Sequence, residues 1–135
     1  MLYLLDTNAI RDLLDQNLRA TERLARELPS NRIAVSVTVR GEVLFGIERL
    51  PAGKRRDGVA QATAAFFATI DSEPIPVAAA QQYAHIKRIR EERGVPMDEN
   101  DLWLAATAGA LGATLVTRDT DFQNVPGIAV EDWTV

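Results

Sequence analysis

Four acidic residues spread along the chain carry side chains that could do metal chemistry. They are Asp6, Glu42, Asp101 and Asp119. Carboxylate oxygens are the ligands that hard cations such as Mg2+ and Mn2+ prefer. Crowded carboxylates repel one another, so a cluster of four without a cation would cost free energy. If the four acids converge, they therefore indicate a divalent-metal site.

The chemistry expected of such a site is hydrolysis of phosphodiesters. A bound cation lowers the pKa of a water and stabilises the negative charge that develops at the phosphate. The sequence has no cysteine, which excludes a thiol nucleophile, and its single histidine, His85, excludes a mechanism with two imidazoles. A metal-activated water needs no side-chain nucleophile. We expect His85 to pack in a helix or to lie at the surface.

Alternating strand-like and helix-like segments must position these acids, and the alternation predicts a layered α/β domain with a mostly parallel sheet. Apolar runs predict strands over residues 2–5, 33–36, 75–77, 114–117 and about 128–130. The third of these follows Pro74 and contains Pro76, which favours irregular pairing or an edge position.

Helical spacing of apolar residues predicts the connecting helices. They are expected over about residues 8–14, 21–28, 37–50, 59–70 and 78–93, followed by a helix that Asp98 or Asn100 caps and that runs to about 111. Residues 51–58 are predicted to form a loop. This loop carries the strongest basic cluster, Lys54, Arg55 and Arg56, which is either a solvated turn or a contact for RNA or a partner.

In this arrangement all four acids can reach one edge of the sheet. Asp6 and Asp119 follow strand ends, where open α/β sheets bind ligands. Glu42 lies one turn into a helix that starts at the end of the second strand, and Asp101 opens a helix, where an anion suits the helix dipole. Structural alternatives stay open, because Asp6 could cap a helix and Asp119 could form an Asx turn. Asp101 could be an ordinary first-turn acid, and Glu42 a surface charge.

Length and composition limit the other function classes. At 135 residues the chain is expected to form one domain, with no apolar segment that could span a membrane and no signal sequence. The absence of cysteine fits a cytoplasmic protein. A net charge of -4 argues against binding nucleic acid by overall charge, so RNA contacts would be local, through metal ions and a few of the 13 arginines.

Five motifs follow one another along the chain. They are LDTN (residues 5–8), SVTVRGEVLFG (36–46), NDLWLAATA (100–108), LVTRDTDF (115–122) and VPGIAVEDW (125–133). With these motifs the sequence resembles the PIN-domain ribonucleases and, among them, the VapC toxins of prokaryotic toxin–antitoxin pairs. Each motif alone is weak, but the five in this order cover essentially the whole chain. The resemblance implies a single PIN-like three-layer α/β/α domain over residues 1–135 with a central, mostly parallel sheet.

The resemblance also implies an activity, namely a Mg2+- or Mn2+-dependent endoribonuclease. Asp6, Glu42 and Asp101 correspond to the family's core acidic residues, and Asp119 corresponds to a more variable fourth acid. Asp98 is the main rival to Asp101, because both lie one turn apart on one helix face. Thr7, Asn8 and Thr117 would support these acids or orient water, and each could equally be a local cap.

The partners that the resemblance implies are an RNA substrate, a small cognate antitoxin and a second copy of the chain. The antitoxin would block the acidic pocket, often with a basic side chain. The small residues Ala105, Ala106, Gly109 and Ala110 would allow close helix packing between two copies, or would serve the core. The sequence leaves open which RNA is cut and whether Mg2+ or Mn2+ is used.

Two other function classes fit part of the pattern. A receiver-type phosphorylation domain also has acidic strand ends, but it needs a lysine at the end of a late strand. Lys54 and Lys87, the two lysines here, lie in a predicted loop and a predicted helix. The stronger alternative is a catalytically silent PIN-like module that only binds RNA or protein. The presence of all four acids argues against it, and an RNA cleavage assay with and without metal discriminates the two.

Overall fold

A sheet of five parallel strands forms the centre of the protein, and the structure, a computed structural model, describes all of residues 1–135. The strands are β1 (Leu2–Leu5), β2 (Arg32–Ser36), β3 (Asp71–Glu73), β4 (Thr114–Val116) and β5 (Ala129–Glu131). Their spatial order is β3-β2-β1-β4-β5, and every neighbouring pair is parallel. Helices cover both faces, so the predicted three-layer α/β/α arrangement is confirmed.

Six helices connect the strands. They are α1 (Thr7–Leu14), α2 (Leu18–Glu27), α3 (Val37–Glu48), α4 (Lys54–Phe67), α5 (Ala79–Glu92) and α6 (Glu99–Leu111). A 3-10 turn, Thr120–Phe122, lies between β4 and β5. Helix α5 packs along α6, and α3 contacts α1, α4 and α6. No helix combines the length and the apolar character that crossing a bilayer requires.

Two of the predicted segments are wrong. The third strand is Asp71–Glu73 rather than residues 75–77, because Pro74 and Pro76 have no N–H with which to continue the pairing to β2. The observed strand, Asp71–Glu73, lies at the edge of the sheet. Residues 54–58 are the first turns of α4 rather than part of a loop, and the helix begins directly after Gly53, whose φ is 148°.

The helix boundaries otherwise follow the predictions within a few residues, and the largest shift has a visible cause. Helix α2 begins at Leu18 instead of Thr21 because Asn17 caps it, accepting a hydrogen bond from the Ala20 N–H at 3.0 Å. The small residues of α6 serve the core: Ala105 and Ala106 are fully buried, and a Cβ on Gly109 would lie 3.3 Å from Gln82 Oε1 of α5.

Strand order reverses at β1, and this reversal defines the functional edge. The chain moves from β1 outward to β2 and β3, and then returns to the other side of β1 to form β4 and β5. The register pairs Leu5 with Val116, so the residues that follow them, Asp6 and Thr117, are neighbours beyond the strand ends. Open α/β sheets bind their ligands at such a reversal.

Candidate metal centre at the carboxyl edge of the sheet

Asp6 is held in place from β1, α1 and β4 together. Its carboxylate is 5% exposed and accepts hydrogen bonds from the Thr7 N–H at 2.7 Å, the Thr117 hydroxyl at 2.8 Å and the Asn8 amide at 3.3 Å. Asp6 therefore does cap the first helix, and it also faces the other acids. Burial raises the pKa of Asp6; the bonds from Thr117 and Thr7 oppose that rise, and the nearby charge of Asp119 adds to it.

Asn8 and Thr117 join the ends of β1 and β4 into one network. The Asn8 amide donates to the Thr117 hydroxyl oxygen at 3.1 Å, and its carbonyl oxygen accepts from the Arg118 N–H at 3.3 Å. Thr117 also accepts from the Asp119 N–H at 3.0 Å. The two polar side chains thus fix both Asp6 and the start of the turn that carries Asp119.

Asp119 forms the Asx turn that was its structural alternative. Its Oδ1 accepts a hydrogen bond from the Asp121 N–H at 2.9 Å and so caps the 3-10 turn. The side chain is exposed, and no protein group bonds its Oδ2. Its charge raises the pKa of both Asp6 and Asp101. The cap therefore leaves one carboxylate oxygen of Asp119 without a protein partner.

Glu42 is brought to this edge because α3 starts directly at the end of β2. Ser36 marks the transition, since its hydroxyl oxygen accepts from the Val39 N–H at 3.2 Å at the first turn of the helix. The Glu42 side chain is half-buried. Burial raises the pKa of Glu42, and the charges of Asp6 and Asp98 raise it further. Glu42 therefore faces the cluster instead of being an isolated surface charge.

Asp101 and Asp98 occupy different environments at the start of α6. Asp98 is exposed and caps the helix, accepting from the Asn100 N–H at 3.2 Å. Asp101 lies in the first turn and is half-buried. Burial raises the pKa of Asp101 to about 7, and four neighbouring carboxylates add to the rise. These four are Asp6, Asp119, Asp98 and Glu42. The structure thus brings the four predicted acids around one another, with Asp98 as a fifth.

These five carboxylates carry no compensating cation within the protein. Every ion pair of the chain uses other acids. The five influence one another's charge, yet no three acidic or histidine side chains stand close enough together to hold a metal ion as they are placed. Like-charged carboxylates repel one another when nothing neutralises them. A cation would have to draw the carboxylates inward.

Thr7 offers an independent sign that the site takes a ligand. Its hydroxyl is buried and makes no well-formed hydrogen bond to any protein atom, although it lies near enough to Glu42 to lower the pKa of that carboxyl. A buried polar atom without a partner costs about 1–3 kcal/mol. A hydroxyl and several carboxylates form a set of oxygen donors that suits Mg2+ or Mn2+. The residues present therefore fit a hard divalent cation.

Arg90 stabilises the turn that follows Asp119. It was not among the residues predicted from the sequence. It is 5% exposed and donates to the Val95 carbonyl at 2.7 Å, the Asp121 carbonyl at 2.8 Å and Asp121 Oδ1 at 3.2 Å. It thereby ties the end of α5 to the turn after Asp119. Its only signal in the sequence is its position on the apolar stripe of α5, four residues after the buried Ile86. His85, by contrast, is exposed, which agrees with the surface position expected for it.

Comparisons with known proteins agree with this geometry. The sequence is 28% identical to Ribonuclease VapC2 of Rickettsia felis, over 98% of both chains, and 28% identical to the tRNA(fMet)-specific endonuclease VapC of Salmonella typhimurium, over 97% of both. The structure is similar to that of VapBC-1 from nontypeable Haemophilus influenzae, with a TM-score of 0.88, 25% identity and full coverage of both chains. VapBC-5 of Mycobacterium tuberculosis, a member of the VapBC family of toxin-antitoxin systems, matches with a TM-score of 0.73 and 27% identity over 99% of this chain and 98% of that one.

A match to one family spans most of the chain. The sequence matches the PIN domain over residues 3–128, a range that includes Asp6, Glu42, Asp101 and Asp119 and runs from β1 past the 3-10 turn. The chain belongs to the PIN-domain family.

Proposed function

We propose that this chain is a metal-dependent endoribonuclease that acts as the toxin of a toxin–antitoxin pair in the cytoplasm. The observation that carries the proposal is the group of five carboxylates without ion pairs at the reversal point of the sheet, where half-buried Asp101 faces the other four. The similarity to ribonucleases of the VapC type supports RNA as the substrate. The toxin-antitoxin systems among its structural relatives support the biological role.

In this proposal Asp6, Glu42, Asp101 and Asp119 hold Mg2+ or Mn2+. When bound, the cation would lower the pKa of a water and neutralise negative charge at the phosphate. The chain itself orients the ligands. Thr117 and Asn8 fix the carboxylate of Asp6, and Asp119 keeps one oxygen free while its other oxygen caps a turn.

The test is RNA cleavage by the purified chain freed of any partner, with Mg2+, with Mn2+ and with EDTA, beside the variant Asp6→Asn. Cleavage that requires metal and disappears in the variant supports the nuclease and its first ligand. A folded wild-type protein that binds metal but cuts nothing in total cellular RNA would leave the alternative, a silent PIN-like module that binds RNA or protein.

The cognate antitoxin is proposed to be a small protein that inserts an arginine or a lysine among the five carboxylates. The absence of any ion pair to these acids supports this, because a basic side chain could form charge-assisted hydrogen bonds there. The variant Glu42→Gln should then release the antitoxin more easily than wild type in a salt gradient. Equal retention would show that the antitoxin does not bind the acids.

A homodimer is proposed to form through the outer face of α3. Val37, Leu44 and Phe45 share this face and are 45%, 45% and 61% exposed, which is unusual for three large apolar side chains in one patch. Light scattering should show a dimer for wild type and a monomer for Phe45→Lys. Leu18→Lys serves as the control, because Leu18 is 77% exposed on α2. A monomeric wild type, or a dimer of Phe45→Lys, would overturn this interface.

A further inference from the structure

A cavity of about 500 Å3 opens beside the metal centre, between α1, α3 and α4. Each helix contributes one face at helical spacing. Fifteen residues from these helices and from the turns after α1 and α3 line it, and the polar and charged ones among them are Thr7, Arg11, Asp15, Glu42, Arg55 and Thr63. Its volume lies within the range of about 300–1,000 Å3 that is typical of small-molecule pockets. Because Thr7 and Glu42 belong to both, the cavity and the metal centre form one continuous surface.

The only two buried hydroxyls of the protein that lack a hydrogen-bond partner both lie in this cavity wall. They are the hydroxyls of Thr7, at the end next to Glu42, and of Thr63, a residue that is 1% exposed. Native proteins leave few buried polar groups unpaired. The Thr7 hydroxyl also borders the metal centre, so the Thr63 hydroxyl is the group that indicates a ligand with polar atoms in the cavity itself.

Two arginines and two acids, Asp15 and Glu42, line the cavity, and the arginines are the groups in it that could bind a phosphate. Arg11 and Arg55 are exposed, and neither takes part in an ion pair or a side-chain hydrogen bond, whereas the neighbouring Arg56 is paired with Glu48. An unpaired guanidinium can bind a phosphate with two parallel hydrogen bonds. Apolar side chains such as Ile47 and Val59 form the walls between the arginines and the hydroxyls.

We propose that this cavity binds one nucleotide of the RNA substrate, the one next to the scissile phosphate. The apolar walls hold its base, Thr63 and Thr7 offer hydroxyls to the polar edge of the base or to the ribose, and Arg11 or Arg55 binds its phosphate. This inference rests on the proposed nuclease function. It makes the cavity the part of the protein that selects which nucleotide lies beside the cut.

Filling the cavity tests the inference. Gly46→Leu adds a side chain from α3, where a Cβ meets no atom within 4 Å, and Ala62→Leu adds one from α4. The control is Ala64→Leu, at an exposed residue of the same helix that does not line the cavity. Leucine is a good helix former, so helix propensity does not penalise any of the three variants. Thermal melts show which variants are folded, and either filling variant alone suffices for the test.

The substrate is a short oligoribonucleotide that wild type cleaves, together with versions in which each nucleotide flanking the cut is made abasic in turn. At one flanking position, loss of the base should raise KM about tenfold for wild type and for Ala64→Leu, as expected for one well-packed base. The filling variants should show the raised KM already with intact RNA, and no further rise with the abasic version. Wild-type KM values in both filling variants would overturn the proposal, as would equal abasic effects in all proteins.

Two further outcomes distinguish the nucleotide site from a cavity that binds protein and from a failure of the proposed nuclease function. If filling the cavity weakens binding of a co-purified protein partner but leaves the KM for RNA unchanged, the cavity binds protein and the proposal fails. If wild type cleaves no RNA, the nuclease function fails, and fluorescence anisotropy with the same oligonucleotides in EDTA still tests the cavity. The same tenfold differences, now in Kd, would support the nucleotide site, and equal Kd values would overturn it.

Discussion

At the scale of single residues, Asp101 and Asp98 should separate into a metal ligand and a helix cap. Asp101→Asn removes a half-buried carboxylate that faces four others, so we expect cleavage to fall by about 10²–10³-fold. Asp98→Asn keeps a residue that caps helices equally well, so we expect a normal fold and a change in cleavage of only a few-fold. Single-turnover cleavage of one RNA by both variants checks this. A larger loss of cleavage in Asp98→Asn than in Asp101→Asn would mean that Asp98, and not Asp101, is the metal ligand.

Thr117 should act through Asp6 and Asp119 without binding the metal itself. Thr117→Val keeps the shape of the side chain but removes its hydroxyl, which donates to Asp6 at 2.8 Å and accepts from the Asp119 N–H at 3.0 Å. Loss of such a supporting group typically reduces metal affinity or activity by about 10–100-fold. We expect the metal concentration for half-maximal cleavage to rise by that factor. An unchanged metal dependence with reduced stability would indicate a structural role only.

The acids of the site, together with Thr7, Asn8 and Thr117 beside them, were singled out from the sequence, whereas Arg90 and Thr63 were not. Asp6 and Asp119 follow recognisable strands, whose ends are where open α/β sheets bind ligands, and both also cap the helix or turn that follows. Arg90 and Thr63 gave no comparable signal, because their roles depend on which distant segments meet them. The hydrogen bonds of Arg90 reach Asp121, which lies 31 residues away in the chain.

At the scale of elements, Arg90 should be the clamp between α5 and the turn that begins at Asp119. Arg90→Lys cannot reproduce three hydrogen bonds from one planar group, so we expect a loss of about 2–3 kcal/mol in the free energy of unfolding. The control is Arg88→Lys on the same helix, where an exposed pair with Glu92 contributes about 0.5 kcal/mol or less. Urea unfolding of both variants measures the difference. Equal losses would refute the clamp.

The elements that were predicted well and those that were not differ in where their stability comes from. Strands β1, β2 and β4 are buried apolar runs, which the sequence shows directly. Strand β3 is polar, Asp71-Ser72-Glu73, and its side chains are paired with Arg32 of β2. Such pairing across strands depends on tertiary structure and leaves no apolar pattern in the sequence. The third strand was therefore predicted at the nearby apolar residues Ile75–Val77 instead.

At the scale of the whole molecule, we propose that residues 1–135 unfold as one unit. The first strand lies at the centre of the sheet, and near the other end of the chain Trp133 packs edge-to-face on Tyr3 with 5.3 Å between ring centroids. Both ends of the chain therefore belong to one core. A single thermal transition is expected. Its midpoint, Tm, therefore also measures how much the repulsion among the carboxylates of the metal centre destabilises the fold.

That cost should make the metal-free protein less stable as the pH rises. The pKa of Asp101 is raised from 3.8 to about 7 in the folded state, and those of Asp6 and Glu42 are raised as well. Between about pH 4 and pH 7 the folded protein binds more protons than the unfolded chain. The free energy of unfolding therefore decreases as the pH rises from about 4 to above 7. Three pKa units would correspond to about 4 kcal/mol, and solvent screening of a half-buried group reduces this to about 1–2 kcal/mol.

Thermal melts in EDTA between pH 5 and pH 8 measure this effect, which should lower Tm by about 5 °C over the range. Mg2+ should raise Tm more at pH 8 than at pH 5, because deprotonated carboxylates bind the cation and protonated ones do not. Asp101→Asn should flatten the pH dependence in EDTA and raise Tm at pH 8, since it removes the repulsion together with the ligand. A Tm in EDTA that increases from pH 5 to pH 8 would mean that the carboxylates do not crowd one another. A cation at this edge of the sheet would then have no repulsion between carboxylates to relieve.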